Sequence, residues 1–192
     1  MSVTPLRYRR AAWISASGAS LALVVGSALW WHAHLLPRRF AVVDAGRLCR
    51  SGEVTPGQLA RLQRDYGIHR VISLLNPDVP QSVAERTTAE HLGIEWCNVP
   101  LPGDGASTPE DRRRILDLLT APSAPPTLVH CSAGVNRTGL AVGLYRLHVQ
   151  HWTLDQVMTE LRACGFNDPP KHENLRQALA AEAAVAASRA AR

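Results

Sequence analysis

Acidic residues are missing from the first 43 positions of this 192-residue chain, and Asp44 is the first of 16. The same stretch holds five of the 21 basic residues, namely Arg7, Arg9, Arg10, Arg38 and Arg39. From residue 40 onward, 16 basic residues balance 16 acidic ones, so the net charge of +5 belongs to the N-terminal segment. A general polyanion binder needs a basic face. The remainder of the chain lacks this excess, and we expect no nucleic-acid partner.

Closely spaced metal-binding pairs are also missing. The four cysteines are too far apart for any CxxC pair, which excludes a zinc ribbon; they are Cys49, Cys97, Cys131 and Cys164. His148 and His151 lie three residues apart on a predicted helix, but without a nearby cysteine or carboxylate such a pair more often belongs to a solvated face. We therefore expect no metal site and no cofactor. No internal repeat appears, and the chain is long enough to bury a core without disulfides.

Charge is absent from residues 11–31, a run of 21 residues. As a helix this run would cross a hydrocarbon core of about 30 Å. Arginines flank it on both sides, and Trp30 and Trp31 stand at its far edge, as in membrane-spanning helices. A cleaved signal peptide is the alternative, but its best cleavage site, Gly26-Ser27-Ala28, is followed by bulky residues. We predict a basic tail and single-pass anchor over residues 1–39 and a separate domain over residues 40–192. Because a short basic tail ahead of a first span usually stays inside, we expect the domain to lie on the outer side of the membrane.

Short apolar segments alternate with amphipathic ones after residue 40. Strands are expected at 40–43, 47–50, 69–75, 94–99 and 127–130, and helices near 56–66, 83–92, 109–119, 137–150, 153–163 and 172–187. Strands separated by helices predict an α/β domain with a mainly parallel central sheet flanked by helices.

The most informative segment is HCSAGVNRTG, residues 130–139. A buried strand ends at Cys131, small residues follow, and a helix begins near Arg137. Such a loop directs backbone N–H groups and a positive helix end at a bound anion, and a guanidinium matches two oxygens of a tetrahedral oxyanion. These groups lower the pKa of a cysteine beneath them and align its thiolate for in-line displacement. A lone cysteine is usually a core residue, but the joint spacing of Cys131 and Arg137 argues against that interpretation.

The segment resembles the HCxxGxxR signature of the cysteine-based protein tyrosine phosphatase superfamily. The compact size, the segment LCRSGEVTP (48–56) and the following VISLL (71–75) are similar to small dual-specificity-type bacterial phosphatases. The resemblance covers roughly residues 40–165 and departs at Cys49, where relatives tend to have an aromatic residue. It implies a phosphotyrosine phosphatase-like fold and a phosphocysteine intermediate that water hydrolyses. Residues 132–137 are expected to bind phosphate; they are Ser132, Ala133, Gly134, Val135, Asn136 and Arg137.

The resemblance also implies a general acid on a loop ahead of the signature. Asp104 is favoured, since it follows a predicted strand in a loop rich in proline and glycine. Asp78, after the preceding strand, is the rival, and Asp111 is expected to balance a helix dipole. His130 would orient the loop and help to hold the thiolate, and Thr138 would stabilise the departing thiolate; their alternative roles are a satisfied buried histidine and a helix cap. Arg50 is interpreted as structural.

A phosphorylated protein or a small phosphoester is the expected substrate. The side chains at 132, 133, 135 and 136 are neutral, which favours a singly phosphorylated substrate over a polyanionic phosphoinositide. The neighbouring Arg112, Arg113 and Arg114 are best explained as a solvated helix face. A non-catalytic phosphoprotein-binding module and a rhodanese-like sulfurtransferase are the remaining alternatives. The sequence leaves the oligomeric state open.

Overall fold

The computed structural model describes residues 35–167 and 172–190. The strands in this part of the chain are β1 (Ala41–Asp44), β2 (Leu48–Ser51), β3 (Arg70–Ser73), β4 (Glu95–Asn98) and β5 (Thr127–His130). The helices are α1 (Pro56–Tyr66), α2 (Pro80–Leu92), α3 (Pro109–Thr120), α4 (Asn136–His148), α5 (Leu154–Ala163) and α6 (Glu173–Ala190). The predicted order of elements is confirmed, with shifts of a few residues at most ends.

The five strands form one sheet in the order β1-β2-β5-β3-β4. Strand β5 is central and pairs in parallel with β2 and β3, β4 pairs in parallel with β3, and only β1 runs antiparallel, against β2. The expected mainly parallel sheet is therefore confirmed. Because parallel strands end at the same edge, the segments that follow β2, β3, β4 and β5 come together there.

Local sequence explains where several helices begin. Thr55, Thr108 and Thr153 are N-caps of capping boxes, completed by Gln58, Asp111 and Gln156. Asp111 therefore has the helix-start role expected of it. In contrast, Val135, the N-cap of α4, makes no side-chain hydrogen bond to the helix. The first N–H groups of α4 are therefore not occupied by a capping side chain.

Helix α4 forms the middle of the core. Its residues from Thr138 to Leu147 are buried, because α3, α5 and α6 pack around it. Helix α6, which the resemblance leaves outside the family domain, supplies the buried side chains of Leu175 and Leu179 to this core. The helix is thus an integral part of the fold that positions the loop before α4.

The predicted membrane span at residues 11–31 lies outside the described residues. Within residues 35–167 and 172–190, no helix is long and apolar enough to cross a membrane. The compact unit that carries the sheet begins at Pro37, so it includes Arg38 and Arg39, which the sequence-based division places in the anchor segment.

Candidate active site

The residues after four parallel strands surround Cys131. The loop after β5, residues 131–137, is referred to below as the cysteine loop. Residues 52 and 53 follow β2, residues 74–78 follow β3, and residues 99–105, the Asp104 loop, follow β4. The fold therefore brings together the segments that the sequence marked individually.

Cys131 lies at the floor of the cysteine loop with 1% of its surface exposed. Its Sγ accepts a hydrogen bond from the backbone N–H of Gly134 at 3.3 Å. Burial by itself raises the pKa of the thiol, but hydrogen bonds from the side chain and backbone of Thr138, the charge of Arg137 and the N–H of Gly134 together lower this pKa below the ordinary value. The other buried cysteine behaves differently, since burial raises the pKa of Cys49 to about 11. The surroundings of Cys131 therefore favour the thiolate, whereas those of Cys49 oppose it.

Three successive carbonyl groups of the cysteine loop are hydrogen-bonded from outside the loop. The oxygen of Ser132 accepts from the backbone N–H of Glu53 at 3.0 Å, that of Ala133 from Nη1 of Arg39 at 3.0 Å, and that of Gly134 from Nη2 of Arg50 at 2.6 Å. Since these carbonyls are held outward, the loop keeps the orientation in which its N–H groups face the sulfur.

Glycine is required at two points where β2 meets the loop. Gly134 has a φ of +71°, and a Cβ there would lie 2.7 Å from the nitrogen of Gly52. A Cβ at Gly52 would lie 2.9 Å from the carbonyl oxygen of Ser132. The end of β2 therefore fits directly against the cysteine loop and fixes its shape.

Arg137, in the first turn of α4, reaches toward the ends of two strands. Its Nη1 donates to the carbonyl oxygens of Leu74 at 3.3 Å and Leu101 at 3.4 Å. Both bonds are long, and the side chain is only partly buried. The guanidinium is thus held beside the cysteine loop by contacts that an oxyanion could replace.

The Asp104 loop contacts the start of α4 and the start of α6. Asp104 accepts hydrogen bonds from the backbone N–H of Ala106 at 3.0 Å and from Nδ2 of Asn174 at 3.1 Å. Nδ2 of Asn136 donates to the carbonyl of Gly103 at 3.4 Å. Asp78 is exposed, and its backbone N–H bonds to Asn76. The hydrogen bond from Asn136 therefore joins the cysteine loop to the residue directly before Asp104.

His130 forms a buried ion pair that the sequence did not reveal. Its Nε2 lies 2.8 Å from Oε2 of Glu85, and both side chains are almost completely buried. The other carboxylate oxygen of Glu85 accepts from Nε1 of Trp96 at 2.7 Å. Burial opposes the charged imidazole, but Glu85 and the neighbouring Cys131 outweigh it and raise the pKa of His130. A cationic His130 directly before Cys131 also favours the thiolate.

The other supporting residues have mixed outcomes. Thr138 Oγ1 lies 3.4 Å from the carbonyl oxygen of Ser51, and Arg50 is fully buried behind the loop. The solvated face expected of residues 112–114 is wrong for Arg112, which bonds Glu182 at 2.8 Å, whereas Arg113 and Arg114 are exposed. His148 also contacts Glu182, at 3.0 Å. No cluster of metal ligands occurs among the residues that the structure describes.

Several contact residues escaped sequence reasoning, namely Arg39, Glu53, Glu85, Trp96 and Asn174. They lie far from the signature along the chain, and apart from Glu53 none belongs to a recognisable motif. Only Glu53 stood in a marked segment, LCRSGEVTP. Glu85 lies on the buried face of α2 together with Ser82 and Ala89, and only the structure shows that this face is buried.

Comparisons with known proteins agree with this geometry. The sequence model of the Tyrosine phosphatase family matches residues 34–181. The dual specificity protein phosphatase TpbA of Pseudomonas aeruginosa is 29% identical over 121 residues, 63% of this chain and 52% of that protein. Inositol diphosphatase DSP4 of Arabidopsis thaliana is 32% identical over 129 residues, 65% of this chain and 62% of that protein. The chain thus spans between half and two thirds of the length of these relatives.

Solved structures show the same fold. The core catalytic domain of the PP-IP phosphatase SIW14 from S. cerevisiae, in complex with citrate, superimposes with a TM-score of 0.67 at 24% identity, covering 81% of this chain and 91% of that one. The P. aeruginosa TpbA structure superimposes with a TM-score of 0.62 at 23% identity, covering 78% and 91%. The overall fold of the domain is therefore shared by these proteins.

Proposed function

This chain belongs to the tyrosine phosphatase family, and we propose that it hydrolyses phosphate monoesters through a phosphocysteine intermediate. The observation that carries the proposal is the buried Cys131, whose lowered pKa results from Thr138, Arg137 and the N–H of Gly134 despite burial. A core cysteine without these neighbours has a raised pKa, as Cys49 does. The lowering is what a nucleophile requires and what a packing residue does not.

In the proposed first step, the thiolate of Cys131 attacks phosphorus while the ester oxygen leaves. The N–H groups of residues 132–137 and the fork of Arg137 bind the three non-bridging oxygens. Asp104 donates its proton to the leaving oxygen. In the second step, the same carboxylate takes a proton from water, which attacks phosphocysteine and releases phosphate. Thr138 and His130 stabilise the thiolate that departs from phosphorus.

We propose phosphotyrosine, phosphoserine or phosphothreonine in proteins as the substrate. The support is that the side chains of Ser132, Ala133, Val135 and Asn136 carry no charge, so the loop itself adds no cation for a second phosphate. TpbA is named a dual specificity protein phosphatase, and its C132S form has been solved with pTyr, at a TM-score of 0.57.

An inositol-type phosphoester is the second candidate. Two Arabidopsis and rice relatives are named inositol diphosphatases, and the SIW14 structure has the same fold. Arg38 and Arg39 are exposed, and Arg39 contacts the cysteine loop, so basic residues do occur beside the site. A panel of phosphotyrosine peptide, phosphothreonine peptide and diphosphoinositol phosphate would rank the candidates by kcat/KM.

The experiment that tests catalysis is hydrolysis of an aryl phosphate by wild-type protein and by Cys131→Ser, with vanadate as inhibitor. We expect turnover only in wild type and retained binding of a phosphate analogue in the variant, because a serine hydroxyl stays protonated where a thiolate would form. Cys49→Ser is the matched control and should remain active. A Cys131→Ser protein that turns over near the wild-type rate would refute the nucleophile. A wild type that binds vanadate without turnover would instead indicate a phosphoprotein-binding module.

We further propose that the domain is held at a membrane by the uncharged residues 11–31, with the domain on the outer side. The support is the length of this run and its arginine and tryptophan flanks. Membrane fractionation tests this proposal: the full chain should stay in the membrane pellet after a high-salt wash and enter the detergent extract. Release by salt, or recovery of protein cut near Ala28, would contradict it. Protease access in intact cells decides the side.

A truncation that tests the anchor should keep Arg38 and Arg39. Arg39 holds the carbonyl of Ala133, and the carbonyl of Arg38 accepts from the N–H of Gly52 at 2.7 Å. Protein lacking residues 1–36 should therefore be released from the membrane with its catalysis intact, whereas removal of residues 1–39 should also weaken phosphate binding.

A further inference from the structure

Arg50 is a buried cation next to the cysteine loop, and two of its guanidinium nitrogens make no hydrogen bond to the described part of the chain. It lies in β2, with 1% of its surface exposed. Its Nη2 donates to the carbonyl of Gly134 at 2.6 Å. Its Nε and Nη1 are buried without a hydrogen-bond partner within the described part of the chain, and no carboxylate there lies within ion-pairing distance of it.

A charge in this position is costly to the fold. Arginine keeps its proton even in a protein interior, and a buried charge is normally paired or replaced by apolar groups. The other well-buried arginine of the domain follows this rule, because Arg146 bonds both carboxylate oxygens of Glu160. Arg50 has no such partner among the described residues, and its one hydrogen bond is to the carbonyl of Gly134 in the cysteine loop.

The contact between Arg50 and Gly134 has a direct electrical consequence. The carbonyl of Gly134 belongs to the peptide whose N–H is that of Val135, one of the loop amides expected to bind phosphate. A cation on the carbonyl oxygen polarises the peptide and strengthens the N–H as a donor. Arg39 acts in the same way on the preceding peptide, whose N–H, that of Gly134, donates to Sγ of Cys131. Arg39 is exposed to solvent, so water and salt screen its charge, whereas they do not screen Arg50.

We propose that Arg50 is a positioning residue for the oxyanion, and that its buried, unpaired charge is compensated by the Cys131 thiolate and by bound phosphate. The proposal deepens the proposed function, on which it rests. It differs from a purely structural role of Arg50, in which only the hydrogen bond to Gly134 and the packing volume matter. Arg50 touches no reacting atom and acts through the loop.

The two interpretations predict different results for a pair of variants. Arg50→Lys and Arg50→Gln both remove the guanidinium fork, but only Arg50→Gln removes the charge. We measure the Kd of tungstate, an oxyanion that needs no turnover, with the full chain in detergent. If the charge matters, Arg50→Lys should bind tungstate at least about tenfold more tightly than Arg50→Gln, because only the lysine keeps a positive charge at this position. Equal affinities of the two variants would overturn the proposal.

Thermal unfolding adds a readout that separates folding from binding. The uncompensated charge of Arg50 opposes folding when no anion is bound. Without tungstate, Arg50→Met should therefore unfold at a temperature close to that of wild type. Tungstate should raise the unfolding temperature of Arg50→Met much less than that of wild type. A midpoint that falls equally with and without tungstate indicates a structural residue and refutes the proposal. Should Arg50→Met fail to fold, the Lys and Gln pair decides alone.

The rate at which iodoacetamide alkylates Cys131, followed against pH, gives a third and independent measure. The midpoint of this profile should move to higher pH in Arg50→Gln and less so in Arg50→Lys, because the cysteine loop loses the cation that contacts the carbonyl of Gly134. Arg113→Gln, at an exposed position of α3, is the control and should leave the midpoint unchanged. If wild type hydrolyses no phosphoester but the Arg50 variants differ as described, only the proposed function is disproved. If wild type is active and the Arg50 variants do not differ, only the role of Arg50 is disproved.

Discussion

The carboxylate of Asp104 is held by the side-chain amide of Asn174, with Nδ2 of Asn174 3.1 Å from Oδ2 of Asp104. Asn174 is in the first turn of α6, and the next residue, Leu175, is fully buried in the core. The C-terminal helix thus fixes the residue proposed as general acid, although it lies 70 positions away along the chain. An amide in this position directs the carboxylate without adding charge.

Asn174→Ala should therefore lower kcat while KM changes little. The freed Asp104 side chain would sample other rotamers, and the proton would be misplaced at the moment of transfer. We expect kcat to fall about tenfold for alkyl phosphates and less for an activated aryl phosphate. The loss is smaller than the ~10²–10⁴-fold contribution of general acid assistance because the variant still contains the acid. Asn76→Ala, which loosens the Asp78 segment instead, is the control and should leave both rates unchanged. Equal losses with both classes of substrate would mean that Asn174 acts on folding rather than on the acid.

Asp104→Asn should show the same contrast more strongly. In the variant, kcat should fall steeply as the leaving group becomes more basic, because a poor leaving group depends on the donated proton. Asp78→Asn is the matched control and should preserve the wild-type dependence of the rate on the leaving group. If the two variants exchange these results, the acid belongs to the loop after β3.

Arg137→Lys should lose at least about a hundredfold in kcat/KM. A single ammonium cannot reproduce the planar fork that meets two oxygens of the transition state, and loss of one such donor typically costs about 10²–10³-fold. The matched control is Arg113→Lys, at an exposed position of α3. A loss of less than about threefold in Arg137→Lys would place its guanidinium away from the substrate.

The buried pair of His130 and Glu85 should make stability depend on pH. Because the pKa of His130 is raised in the folded protein, its contribution is fully present below the ordinary value of about 6.5 and is lost as the pH rises through the raised pKa. Glu85→Gln removes one partner of a buried pair, for which about 3–5 kcal/mol is typical. Urea unfolding should therefore show the largest difference between wild type and variant at pH 6, narrowing toward pH 9.

Glu95→Gln provides the comparison for that experiment. Glu95 pairs with Arg70 at 2.8 Å, but half of its side chain is exposed, and such pairs contribute about 0–1 kcal/mol. Its effect should be small and nearly constant over the same pH range. A Glu85→Gln difference that is equally flat would show that His130 is neutral in the folded protein.

Much of the domain could be predicted from local sequence. Alternating apolar and amphipathic segments placed the strands and helices, and the structure adds threonine N-caps at the beginnings of α1, α3 and α5. The spacing of Cys131 and Arg137 between a strand and a helix predicted an anion-binding loop, because that geometry depends on consecutive residues. These features are local, so the pattern of residues alone specifies them.

The surroundings of Cys131 were decided only by the tertiary structure. Glu85 is paired with His130, Arg39 and Arg50 hold two carbonyls of the cysteine loop, and Asn174 holds Asp104. Each contact joins residues dozens of positions apart. The sequence does not indicate which of the chain's glutamates, arginines and asparagines make these contacts. The order of strands β2, β5 and β3 selects among them, since it places the ends of neighbouring strands within hydrogen-bond distance of one loop. The signature specifies the chemistry of the loop, and packing determines which charges act on it.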